Sequence, residues 1–469
     1  MSRILLIVSD LHLADGHTIL DSFGDRQQAA FEGLINAACN NGTGPWGDAD
    51  NIELVFNGDS FDFLLTAPYD LGGISEIAMS LEKLQKIIAA HPAFFKALRR
   101  FIDTPGRYVT FMTGNHDIEL QFATVRELIY AAIGGDLIKE RVTFCPTRFY
   151  RPLPDVYIEH GNHYDFWNHA IHELWNEAGE PLGLNLHSIT LPVGSYYLQH
   201  AAHPISIRYP YFDCFEPSMN SMRQLALLCL LDPETIVETA TLTTQMFSAP
   251  YTALAGLAAG EEKIPSRLFE HTMIDFVAFQ QEMRRHKPDW VELAGLNYEE
   301  LQVATMIEFN MLRETLKLSP LEAIAAICTP ATYQMGEAVA AGMHGVLKSD
   351  PTLRYAIAGH THMARIDPVN NGSQSYLNTA SWTMRLALPA PGEVNAALLE
   401  WLRQPDWEHI PLSLVRDATQ FIFAMVQGAM HWARSAAPSE GPSCASLCVW
   451  EGGLRGSYRV LAWPEGMML

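Results

Sequence analysis

Ile4-Leu5-Leu6-Ile7-Val8-Ser9-Asp10-Leu11-His12 begins as a short apolar, β-branched run and ends on an Asp and a His two positions apart. Such a run reads as a buried strand. In extended backbone, residues i and i+2 point the same way, so Asp10 and His12 can reach one ion. The pattern recurs along the chain. Ile52–Phe56 runs into Asn57-Gly58-Asp59, and Arg107–Thr113 into Gly114-Asn115-His116-Asp117. Asp155–Glu159 leads to His160-Gly161-Asn162-His163, and Leu353–Ala358 to Gly359-His360-Thr361-His362. Repeated strand ends of this kind gather Asp, Asn and His at one edge of neighbouring strands. Such a polar cluster can hold two metal ions.

The donor types suit that chemistry. Divalent ions in hydrolases take oxygen and nitrogen ligands, keep an open position and often share a bridging carboxylate. His360 and His362 repeat the spacing of Asp10 and His12, with Thr361 facing away. The glycines beside these residues permit tight turns where chain and metal come close.

The chain has 469 residues, 48% hydrophobic, enough for a substantial core and more than one domain. Its net charge of −22 disfavours a large nucleic-acid footprint, which needs clustered Lys and Arg. The seven cysteines show no paired framework. Cys444 and Cys448 lack the second pair of a zinc site, so reduced thiols in a cytoplasmic protein are the simpler reading. No secretory signal is expected before the first strand, and no apolar run approaches the ~20 residues of a membrane span. Peripheral membrane contact is left open, and so is the oligomeric state.

Residues 1–165 alternate strand and helix. Helices are expected over about Gly24–Cys39, Ser75–Ile102 and Thr124–Ile133, and a hairpin over Arg141–Tyr150 and Asp155–Gly161. Residues 166–349 carry helical patterns and few β-rich runs. They are expected to form a helical cap inserted into a domain of residues 1–165 and 350–469. In the tail, helices are expected at Ala396–Gln404 and Leu414–Ser435, and a terminal hairpin around Gly452-Gly453. Alternating βα units followed by a hairpin predict an α/β fold with mixed sheets and helices outside.

The order and spacing of these motifs resemble the calcineurin-like metallophosphoesterases, whose pattern is D-x-H, G-D, G-N-H-[DE], a His, then G-H-x-H. The resemblance covers 1–165 and about 350–385. It implies a four-layer sandwich of two mixed sheets flanked by helices. It also implies two divalent ions, Mn²⁺ or Fe with Zn²⁺ as the alternative. Asp10, His12, Asp59 and His362 would hold one ion. Asp59 would bridge to a second, held also by Asn115, His160 and His360. His116 would act as general acid or charge stabiliser, oriented by a hydrogen bond to Asp117. Asn57–Phe63, His160–Asn162 and Asn378–Trp382 resemble the branch of UDP-diacylglucosamine pyrophosphohydrolases. Residue 116 is His where that branch carries Arg, and the insertion is longer than its cap.

The reaction expected from the resemblance is hydrolysis of a phosphoester or pyrophosphate by a water bridging the two ions. A phosphorylated small molecule or a lipid-linked phosphate would be the substrate. Two other readings stand beside it: a nuclease, which shares the G-D-x-F-D form, and a non-catalytic scaffold whose cap meets a partner. Weaker candidates for substrate contact are His163, Arg208 among cap aromatics, and Arg385. Packing explains the last two as well. His169 and His172 read as a packed or solvated helix face. Asp62 and Asp165 read either as outer hydrogen-bond acceptors or as surface-turn residues.

Overall fold

The computed structural model describes residues 2–16, 21–40, 45–47, 49–69, 73–165, 335–383, 421–429 and 443–461, with shorter pieces between 168 and 216 and between 386 and 414. The helices expected between Ser221 and Ile327 lie outside the described residues.

In chain order the strands are β1 (Ser2–Val8), β2 (Asn51–Asn57), β3 (Ile74–Glu76), β4 (Arg107–Met112), β5 (Val142–Phe144), β6 (Phe149–Leu153), β7 (Val156–Glu159), β8 (Ser188–Thr190), β9 (Phe215–Glu216), β10 (Tyr355–Ala358), β11 (Ala364–Val369), β12 (Gln374–Thr379), β13 (Leu386–Ala387), β14 (Phe421–Ala429), β15 (Cys444–Glu451) and β16 (Ser457–Val460). The helices used below are α1 (Asp25–Cys39), α2 (Ile77–Ala90), α3 (Pro92–Asp103), α4 (Ala123–Ile133), α5 (His203–Arg208), α6 (Met335–Ser349) and α7 (Ala396–Arg403).

The chain divides into two compact units. The first comprises 1–195, 336–383 and 419–469, and the second 196–335 and 384–418. The first unit is α/β with two mixed sheets. One has the order β16-β15-β14-β1-β2-β4-β5, with β1, β2, β4 and β5 parallel and the β14–β16 end antiparallel. The other has the order β11-β12-β10-β7-β6, with β7, β10 and β12 parallel. Along β1 the side chains alternate. Leu5 and Ile7 join Val55 and Val426 in one buried cluster with Ile158, Ile357 and Leu377 of the second sheet. On the far side of the first sheet, Phe31 of α1 and Phe94 of α3 stack on each other and meet Phe56. Val339, Met343 and Leu347 of α6 cover Ala356, Ala358 and Tyr376 of the second sheet. In the second unit, Leu398, Trp401 and Leu402 of α7 pack with Leu386 and Leu414. Among the described residues no helix is long and apolar enough to cross a membrane.

Three elements differ from expectation. Ser75–Ile102 is not one helix: it holds the end of β3, then α2, then α3, with Pro92 at the first turn of α3. Proline cannot donate within a helix interior but suits a helix start, so it divides the run. Val142–Phe144 is not part of the hairpin. It pairs with β4, and Phe149–Leu153 is the partner of β7. Pro146, lacking an N–H, separates the two pairings. Phe421–Ala429, expected as helix, is a strand between β1 and β15. A strand buried on both faces shows no alternation, so its apolar run reads like a helix segment. The terminal hairpin is present as β15 and β16.

Candidate metal centre

The parallel strands of both sheets end in the turns that carry the motif residues, at the carboxyl edge where α/β folds place ligands. The turns are tied to one another by main-chain bonds. His12 N donates to Asp59 O at 3.0 Å, Phe63 N to His116 O at 3.1 Å, Gly359 N to His160 O at 2.9 Å and Trp382 N to Asp10 O at 3.1 Å. Five of the motif residues adopt left-handed backbone despite bearing side chains: Asp10 (φ 54°), His12 (53°), Asp59 (51°), His360 (66°) and His362 (56°). Non-glycine residues rarely sit there, and such outliers gather at functional sites. Gly58 adopts φ 81°, and a Cβ on it would run into the His160 ring. A Cβ on Gly114 would strike Asp59 Oδ1.

These turns bring the predicted Asp and His ligands together. Asp10, His12 and His362 form one group that could hold a metal ion, and Asp59, His160 and His360 another. In the first, His362 Nε2 lies 3.2 Å from Asp10 Oδ1 and 3.2 Å from His12 Nε2. In the second, His160 Nε2 is 3.0 Å from Asp59 Oδ2. That same Asp59 oxygen is 4.0 Å from His12 Nε2, so it neighbours both groups. Donors bound at ~2.0–2.2 Å to a single ion lie roughly 3–4 Å apart, which fits these spacings. The buried Asn115 Oδ1 has no hydrogen-bond partner. Buried polar atoms without partners are costly and call for an explanation such as an ion. The residues present therefore fit a metal.

The outer nitrogens of three of the rings are occupied. His160 Nδ1 donates to Asn57 O at 2.7 Å. His12 Nδ1 is 2.9 Å from Asp62 Oδ2, and His360 Nε2 is 2.9 Å from Asp165 Oδ2. Asp62 and Asp165 are both fully buried, which places them as acceptors of imidazole protons and not in surface turns. Asp62 also takes His116 Nδ1, at 3.1 Å. This corrects the expected role of Asp117. Its carboxylate accepts Gly114 N at 2.7 Å and Ser60 N at 2.8 Å, so it fastens the two turns and does not orient His116. The ring's partner is Asp62, the third residue after Asp59 on the neighbouring turn. The i+3 spacing from Asp59 was visible in the sequence. The direction of the side chain was not.

Electrostatics follow from burial and pairing. Burial opposes the charge on Asp10, and the His362 imidazole overcomes it, holding the carboxyl at about 2. Burial opposes the imidazolium of His160, and Asp59 more than compensates, pushing it up to about 10. Burial likewise works against His116, but Asp62 and Asp59 raise it to about 9. Burial, reinforced by the charge of Asp59, lifts Asp117 to about 7.

Of the weaker candidates, His163 is half-buried in the turn after His160, its ring 5.5 Å from Tyr164. Arg208 ends the short helix α5 in the second unit, and nothing further of its side chain is described. Arg385, His169 and His172 lie outside the described residues. No protein-family model and no curated protein matches the chain.

Proposed function

We propose that the chain is a dimetal phosphoesterase acting on a phosphoester or pyrophosphate. Its fold would be the calcineurin-like sandwich, two mixed sheets between helical layers, with a helical insertion between the fourth and fifth ligand-bearing turns. The observation that carries this reading is the convergence of Asp10, His12 and His362 with Asp59, His160 and His360, joined through one oxygen of Asp59. Divalent ions bound there would supply Lewis-acid neutralisation of a phosphoryl group and an activated water.

The chain's own residues complete the chemistry. Asp10 and Asp59 carry negative charge that would balance bound ions. Asn115 Oδ1 would offer a neutral oxygen to the second group. Asp62 holds His116 through Nδ1, which leaves Nε2 as the nitrogen able to give a proton to a departing oxygen. The negative charge near the His116 ring keeps it protonated until that transfer. The chain's net charge of −22 favours a small or lipid-linked substrate over DNA.

The test is a Mn²⁺-dependent screen of the full chain over phosphomonoesters, phosphodiesters, a nucleotide-sugar pyrophosphate and DNA, repeated with Asp59→Ala and His116→Ala. Turnover that needs metal and both residues supports the reading. Activity surviving both substitutions, or a chain that takes up no divalent metal, overturns it. DNA as the preferred substrate would favour the nuclease reading.

A further inference from the structure

The three buried imidazoles of the centre are held from outside by different groups, and chemistry fixes which nitrogen each can offer inward. A main-chain carbonyl only accepts, so His160 must keep a proton on Nδ1 to bond Asn57 O at 2.7 Å, and Nε2 is the nitrogen it can offer an ion once its own proton is displaced. His12, with Nδ1 on Asp62, has the same arrangement. His360 is the reverse. Its Nε2 faces Asp165 Oδ2 at 2.9 Å, and an ionised carboxylate can only accept. The proton therefore sits on Nε2, and Nδ1 is the nitrogen left with a lone pair.

Asp165 is built for this task. It is fully buried, and its Oδ2 also accepts the side-chain amide of Asn168 at 2.7 Å. Asn162 in turn donates to the Asn168 carbonyl at 2.9 Å, closing a small ring of bonds among Asn162, Asp165 and Asn168. Main-chain bonds from Tyr164 N to Gly161 O and from Asp165 N to Asn162 O hold this turn beside His160. The carboxylate is thus fixed before any metal arrives. It is absent from the groups of side chains that could themselves surround an ion.

We infer that Asp165 is a positioning residue for the metal held by Asp59, His160 and His360, acting by locking His360 in the Nε2–H tautomer so that Nδ1 is its ligand atom. This rests on the dimetal reading above. Carboxylates in this position orient a ligating imidazole and raise its basicity, and their loss typically costs 10–100-fold in metal affinity. The effect should fall on that ion, because the ring Asp165 holds is that of His360, whereas His12 of the other group is held by Asp62.

The test is calorimetric titration of the metal-free full chain with Zn²⁺, in the wild type and Asp165→Asn. Two sites are expected in the wild type. In the variant one should weaken about 10–100-fold while the other keeps its affinity. A general loss of structure would instead weaken both. Two unchanged sites in the variant, or both weakened alike, would overturn the inference and leave the dimetal reading standing. A wild-type chain that takes up no zinc would overturn both together. Should Asp165→Asn fail to fold, ¹⁵N-histidine spectra of the zinc-loaded wild type decide. The His360 ring, assigned by its loss in His360→Gln, must appear as the Nε2–H tautomer, and an Nδ1–H signal refutes the inference.

Discussion

The Nδ1–H of His160 bonds to the main-chain oxygen of Asn57 at 2.7 Å, while the Asn57 side chain donates back to the carbonyl of Glu159 at 3.1 Å. The exchange ties the end of β2 in one sheet to the end of β7 in the other, beside the Asp59 and His160 turns. Removing the amide in Asn57→Ala leaves the Glu159 carbonyl buried without that donor. The cost should be about 1–3 kcal/mol, read from urea unfolding. The His160 ring is held by the main chain of residue 57, so zinc affinity should change far less than stability. A variant as stable as wild type would show that the sheets are joined by other means.

Gly58 and Gly114 give a second prediction. A methyl group at 58 would press on the His160 ring from a backbone of positive φ, and one at 114 would meet the Asp59 carboxylate. Both Gly58→Ala and Gly114→Ala should fold less stably and lose most bound metal, measured by elemental analysis after gel filtration. Full metal content in either variant would mean the turns have room to shift.

Asp62 and Asp117 are predicted to separate. Asp62 touches the rings of His12 and His116, whereas Asp117 touches main-chain amides only. Asp62→Asn should lower kcat about 10–100-fold, as loss of a carboxylate behind a working imidazole does, with little change in KM. Asp117→Asn should chiefly lower stability, by about 1–3 kcal/mol for a disturbed buried acceptor. The opposite pattern would restore Asp117 as the partner of His116.

How far the sequence reached can be seen in these same residues. The ligand-bearing turns were legible because each follows a short, β-rich apolar run that reads as a strand, and polar side chains after such runs are conspicuous. The partner of His116 was not legible. Asp117 is its chain neighbour, but the left-handed turn at Asp59 swings Asp62 under the ring instead. The strand Phe421–Ala429 was hidden for a different reason. Its residues Phe421–Val426 are buried on both faces, so they follow no period of two. The split of Val142–Phe144 from Phe149–Leu153 between two sheets depends on long-range pairing that local pattern does not carry.

The raised proton affinity of His160 gives the pH dependence of metal binding. Burial disfavours its charged form, but the Asp59 carboxylate holds it at about 10, so near neutrality the metal-free ring is protonated. An ion binding at Nε2 must displace that proton. Proton and metal compete, so lower pH weakens binding and higher pH strengthens it, by up to about tenfold per pH unit for each proton released. Titration of the metal-free chain with Zn²⁺ in buffers of differing ionisation enthalpy should show net proton release. His160→Gln should release fewer protons than wild type. Equal release in the two proteins would place the displaced proton elsewhere in the centre. Because the ion binds only the folded chain, the same competition should appear in thermal melts. The stabilisation given by saturating metal, about 2.7 kcal/mol at a hundred times Kd, should shrink as the pH is lowered at fixed metal concentration. A metal-induced rise in Tm that stays constant with pH would contradict the displacement of a His160 proton.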